Sequence, residues 1–289
     1  MKIKKNYIIF LFAISSVSSC AQMRPANTLQ KDKITEAQSK SDSNFKYTHF
    51  IAGSFSFIDV DVLDNIYLIT ANNQLKKLKS NGDSVAVFND VKKFGNPSSI
   101  DVSNPLKTLL YYKNYSTVVI LDRFLSVRNT INFRKENIFK AKTIATSYDN
   151  NIWLFDEQDF KLKKISDGGK LLSETTDWRQ IFDDVPSPTE MIDRDGSVYL
   201  HDIEKGFYVF DYYGSLKNNL PFINWQHAVI ASNKITGFVD NTFQSYELQT
   251  LNLKTYTLPV FFKDYKDIKA MNGKIYLLKE TGIEIYIIL

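Results

Sequence analysis

Asp193-Arg194-Asp195-Gly196-Ser197-Val198-Tyr199-Leu200 sets a polar turn against a short apolar-aromatic run, and the arrangement recurs along the chain. The other copies are Asp64-Asn65-Ile66-Tyr67-Leu68, Lys107-Thr108-Leu109-Leu110-Tyr111, Asn150-Asn151-Ile152-Trp153-Leu154, Asn233-Lys234-Ile235-Thr236-Gly237 and Gly273-Lys274-Ile275-Tyr276-Leu277. Their central apolar residues (66, 109, 152, 198, 235 and 275) are separated by 43, 43, 46, 37 and 40 positions. A second landmark moves in step. Leu75, Val118, Leu162 and Phe207 follow their partners by 9, 9, 10 and 9 residues, and Ile283 follows Ile275 by 8. Three repeats then turn at Asn81-Gly82, Gly168-Gly169 and Tyr213-Gly214, residues that accept the positive φ of a tight antiparallel turn.

Each repeat therefore reads as four short strands joined by tight turns, which is the unit of a β-propeller. In the first repeat the strands fall at Ile58–Val62, Ile66–Thr70, Leu75–Lys79 and Ser84–Phe88. Residues 46–289 divide into six such units of about 41 residues, so the expected fold is an all-β, six-bladed propeller. The last repeat has room for three strands only: Asp267–Met271, Ile275–Lys279 and Ile283–Leu289. Phe45–Ile51, ahead of the first repeat, is a strand without a blade. Pairing the two closes the ring and hides both edges.

The turn-plus-aromatic pattern, as in Asp149-Asn150-Asn151-Ile152-Trp153, resembles NHL-type and TolB-like six-bladed propellers. That resemblance implies the fold rather than an activity, since one scaffold hosts unrelated functions.

Upstream, Lys2, Lys4 and Lys5 precede the apolar run Ile8–Ile14, and Val17-Ser18-Ser19-Cys20 follows. A basic segment, a short apolar segment and small residues before a cleavage point are the anatomy of a secretory signal. The last four residues resemble the lipobox of bacterial lipoproteins, in which the cysteine is acylated. The resemblance implies that residues 1–19 are a signal peptide and Cys20 a lipid anchor. Ala21 in place of aspartate, with no acidic run after it, implies an outer-membrane lipoprotein facing the periplasm. Residues 20–45 are polar and read as a flexible tether, with a root-mean-square reach of roughly 28 Å. Cys20 is the only cysteine, so acylation leaves the mature chain without disulfide or thiol chemistry.

Charge excludes a nucleic-acid partner. The formal net charge is +4, but three lysines belong to the signal segment. The remainder holds 33 basic and 32 acidic residues, with no basic block.

Catalytic motifs are missing from the sequence. There is no nucleophile elbow, phosphate loop or dinucleotide fingerprint, and no cofactor is implied. His49, His201 and His227 lack metal-site spacing. Asp59 and Asp61 alternate on the first strand, and the equivalent strands offer Asp101, Glu190 and Asp267. Together they form a weak calcium candidate at the axis, because calcium takes several oxygen ligands. The longest inter-repeat step carries Trp178, Arg179 and Phe182, and Trp225 and His227 lie between the fourth and fifth repeats. Trp and Arg are the residue types of binding hot spots; the same tryptophans would also suit gaps between blades. The expected function is a non-catalytic, lipid-anchored scaffold that docks an envelope protein, as an accessory part of an outer-membrane assembly or secretion complex. The alternatives are a small-molecule- or calcium-binding propeller resembling lactonases, and a surface glycan-binding module.

Overall fold

The computed structural model describes residues 40–89, 93, 95 and 97–289. Cys20, the expected signal peptide and tether residues 20–39 lie outside the described residues.

Six four-stranded antiparallel sheets form the body. The first blade holds β2 (Phe55–Val60), β3 (Ile66–Thr70), β4 (Leu75–Leu78) and β5 (Ser84–Phe88). The second holds β6 (Ser99–Asn104), β7 (Lys107–Tyr112), β8 (Thr117–Asp122) and β9 (Val127–Asn132). The third holds β10 (Ala141–Thr146), β11 (Ile152–Asp156), β12 (Lys161–Ile165) and β13 (Leu171–Glu174). β14 (Glu190–Arg194), β15 (Ser197–Asp202), β16 (Gly206–Phe210) and β17 (Leu216–Leu220) make the fourth. β18 (Gln226–Ala231), β19 (Lys234–Val239), β20 (Thr242–Glu247) and β21 (Asn252–Thr257) make the fifth. The sixth joins β22 (Asp267–Met271), β23 (Lys274–Lys279) and β24 (Gly282–Ile288) to β1 (Phe45–Ala52).

The repeat has a physical basis at each landmark. Ile66, Leu109, Ile152, Val198, Ile235 and Ile275 are all 0% exposed. Five of them pack against the preceding blade, whereas Leu109 packs against the following one, so the second blade is offset by one residue from the sequence alignment. The polar residues before them occupy left-handed backbone: Asp64, Asn150, Asp195, Asn233 and Asn272 have φ between 49° and 64°. Asn and Asp tolerate that region better than other non-glycine residues. Gly82, Gly169 and Gly214 have φ near +90°. Each follows a one-residue register shift in its hairpin, so these are bulged turns.

Ring closure follows the expected pairing. β1 runs antiparallel to β24 from Phe45 opposite Ile288 to Ala52 opposite Gly282. Phe45, at the end of the expected tether, is already a fully buried strand residue. Lys40–Asn44 fold back on this sheet: Asp42 accepts the amides of Asn44 and Phe45 at 2.8 and 2.7 Å.

Glu284 on β24 secures that return, accepting Lys40 Nζ at 2.8 Å, Lys279 Nζ at 2.9 Å and the Tyr286 hydroxyl at 2.9 Å. Burial pushes its pKa up, but the hydrogen bonds from Lys40, Lys279 and Tyr286 outweigh burial and hold it below the ordinary 4.5. A carboxyl depressed in the folded state stabilises it fully above the ordinary value and loses that contribution as pH falls through the folded value. The melting-temperature gap between the wild type and Glu284→Gln should therefore be constant from pH 7 to about pH 5 and close below it. A pH-independent gap would refute this account.

Candidate functional site

The innermost strands β2, β6, β10, β14, β18 and β22 surround a cavity of about 340 Å³. Alternation along these strands turns every second side chain towards it. Asp59, Asp101, Glu190, Arg194 and Lys269 supply its charge, among Phe57, Ile192 and Met271. Beside it His227 Nε2 lies 3.3 Å from Asp267 Oδ1. His227 has φ +52° at a register irregularity of β18, and that bulge re-aims its side chain.

Lys269 is the electrostatic centre of the group. Its Nζ is 4.0 Å from Asp59 Oδ1. Burial lowers its pKa, but Asp59, Asp267 and Glu190 more than reverse this and keep the ammonium charged. Burial raises Asp59, against the pull of Lys269. Burial also raises Glu190, but a hydrogen bond from His201 and the charge of Lys269 bring it below its usual value. Burial and Lys269 together hold the His227 imidazole below 6.5, against Asp267 and Glu190. At neutral pH His227 is therefore uncharged.

Of the calcium candidates, Asp59, Asp101, Glu190 and Asp267 do gather around the axis. Asp61 does not: it lies past the end of β2, where its Oδ1 accepts the amides of Leu63 and Asn65, both at 2.9 Å, and its Oδ2 accepts the Tyr67 hydroxyl. It is a turn former. Asp101 uses both oxygens on the backbone amides of Ser103 and Thr146. Among the described residues no group of three or more His, Cys, Asp or Glu is arranged to hold a metal ion. The Lys269 ammonium already supplies positive charge to Asp59, Asp267 and Glu190.

The partner candidates separate in the same way. Trp178 is 0% exposed, stacked on Phe210 at 5.0 Å and tilted against Phe155 at 4.7 Å. It fills the gap between the third and fourth blades. Trp225 is 2% exposed, stacked on Phe222 at 4.7 Å. A Cβ at residue 237 would come within 2.7 Å of its ring, so Gly237 makes the space Trp225 occupies. Neither ring is an open platform, which corrects their assignment to a partner or glycan surface. Phe182 is half-buried with Trp178, and His227 belongs to the axial group. Arg179 alone is exposed, paired with Asp177 and lying over the Phe160 ring.

Two charged axial residues, Lys269 and Arg194, escaped the sequence reading. Their signal is alternation on innermost strands, Lys269 two residues from Asp267 and Arg194 in step with Glu190 and Ile192. Asp193 itself bonds across blades, accepting Trp153 Nε1 at 2.9 Å and the Tyr212 hydroxyl at 2.7 Å.

The fold and its charged axis define a six-bladed β-propeller. No protein family matches the chain, and no curated protein matches it. Its solved likenesses share fold at low identity. A streptogramin B lyase aligns with 15% identity over 80% of this chain and 78% of the other, TM-score 0.54. The Pan2 WD40 domain of Neurospora crassa aligns with 10% identity over 85% and 82%, TM-score 0.56. The Cps50 (Swd1) propeller domain of Myceliophteria thermophila aligns with 8% identity over 85% and 100%, TM-score 0.57. One of the three is named as an enzyme, so the architecture alone selects no function.

Proposed function

We propose that this chain is a non-catalytic scaffold of the bacterial cell envelope, anchored through acylated Cys20, that docks another envelope protein on the face bearing its inter-blade loops. One observation carries the reading. In a ring of up-and-down blades, every blade-to-blade connection leaves at the same mouth. Here three of those connections are long segments, 133–140, 175–189 and 258–266. They expose large apolar side chains: Phe139 at 49%, Ile181 at 52% and Val260 at 87%. The turns at the opposite mouth also expose apolar side chains, Leu63 at 68% and Tyr213 at 95%. Those turns are short, and it is exposed apolar residues on long inserted loops that mark interaction surfaces. The axial charges fit the same reading, since Lys269 is held among Asp59, Asp267 and Glu190 and the group offers no nucleophile with an adjacent base.

The test is in-cell photocrosslinking from position 181 or 260, with 213 on the opposite face as control. The expected result is one envelope protein captured from 181 and 260, not from 213, and weakened in a Cys20→Ala chain. Capture equal from all three positions, or of nothing but this chain, overturns the docking face.

A further inference from the structure

The fifth blade breaks a rule that the other five keep. At one position of each second strand, a large side chain faces the next blade, and its cross-strand neighbour on the third strand backs it. The pairs are Tyr67 with Lys77, Leu109 with Ile120, Trp153 with Lys164, Tyr199 with Val209 and Tyr276 with Ile285. The first member of each is at most 6% exposed. In the fifth blade the pair is Thr236 with Ser245. Interiors are normally packed without such gaps, and at Gly237 on the same strand Trp225 supplies the missing bulk. Beside Thr236 nothing does. A pocket of about 310 Å³ opens there between the fifth and sixth blades, walled by Phe243, Tyr256, Ala270, Met271 and Ile288. Its mouth is formed by the exposed Ser232, Lys234 and Asn272.

We infer that this pocket is a binding site for a small aromatic carboxylate, whose ring takes the space that Tyr or Trp fills in the other blades. The shape comes from the repeat: three tyrosines and a tryptophan occupy the equivalent position in four of the five filled blades. The volume lies at the low end for ligand pockets, suited to a single ring. The charge comes from Lys234, the one ionised residue lining the pocket. It stands two residues from Thr236, hence on the same face of β19, and makes no ion pair among the described residues. Ser245, Thr236 and the Tyr256 hydroxyl supply polar partners within an apolar wall. This site adjoins the axial cavity, with Val229 and Met271 as the shared wall, is distinct from the docking face, and stands whether or not Cys20 is acylated.

The probe is 4-hydroxyphenylacetate, with p-cresol as its neutral counterpart, titrated into the full chain by calorimetry. The acid should bind with a dissociation constant on the order of 0.1–1 mM, as befits so small a ligand. Thr236→Tyr, which restores the residue of the other blades, should abolish binding and raise the melting temperature by about 2–4 °C. Ser245→Ile narrows the pocket from the neighbouring strand and is the second blocking variant. Lys234→Ala should weaken the acid about tenfold while leaving p-cresol unchanged. Binding that survives both blocking variants, or no binding of the acid to the wild type at ~5 mM, overturns the assignment, including the case in which only a protein partner's side chain enters the pocket.

Discussion

A chain ending at Glu284, without Ile285–Leu289, should not form a cooperatively melting domain. The deleted segment is most of β24, which pairs with β23 on one side and β1 on the other. Removing it therefore shortens two ladders and leaves Phe45–His49 of β1 with no partner residues. Ile285 and Tyr286 are 2% and 0% exposed; burial of each contributes about 1.5–3 kcal/mol by area. Phe45, fully buried against Phe262 with ring centroids 5.1 Å apart, loses its anchoring strand as well. A whole domain is stable by only about 5–15 kcal/mol, so the combined loss exceeds what the remainder can absorb. Circular dichroism and calorimetry decide the matter. A truncated chain that melts cooperatively would show that the ring does not depend on its closing strand.

Trp178→Ala should be the most destabilising single substitution in the inserted loop, costing about 3–5 kcal/mol and lowering the melting temperature by about 10 °C for a body of this size. The ring is enclosed by Phe155, Phe182 and Phe210. Its indole nitrogen has no hydrogen-bond partner, so the whole effect is lost packing and the cavity left behind. Arg179→Ala, one residue on, should change stability by less than about 0.5 kcal/mol, because its side chain is 57% exposed. Partner capture measured well below the melting temperature should survive Trp178→Ala. If that variant melts with the wild type, the indole does not plug the blades. If it melts normally and loses the partner, Trp178 is a contact residue after all.

The contrast between these neighbours shows what the sequence could and could not convey. The strands were legible because their determinants are local: Asn, Asp and Gly at left-handed turn positions, followed by apolar residues that must be buried. The direction a tryptophan faces is not local. Trp178 and Trp225 carry the residue types of an interface, but Phe210 in one case and Gly237 in the other provide the space that takes them inward. At the axis, alternation placed Asp59, Glu190 and Asp267 correctly and misplaced Asp61, because β2 ends at Val60. His227 was obscured by a bulge, which no periodic reading anticipates. The deficit at Thr236 and Ser245 was visible within the repeat, yet it acquires meaning only once the strands are known to be cross-strand partners.

The closing sheet also sets the order of events when the chain first folds. Among the described strands β1 is made first and β24 last, and their paired residues Phe45 and Ile288 are 243 positions apart. A nascent chain must keep β1 waiting until β24 has been made, with open strand edges at both ends of an unfinished arc. Long-range pairing of this kind is slow, and such edges recruit other chains. A permuted chain, with residue 289 joined to residue 40 and new ends cut between the third and fourth blades, would turn this final meeting into a nearest-neighbour hairpin. The natural order instead makes synthesis of β24 the trigger for sealing the ring.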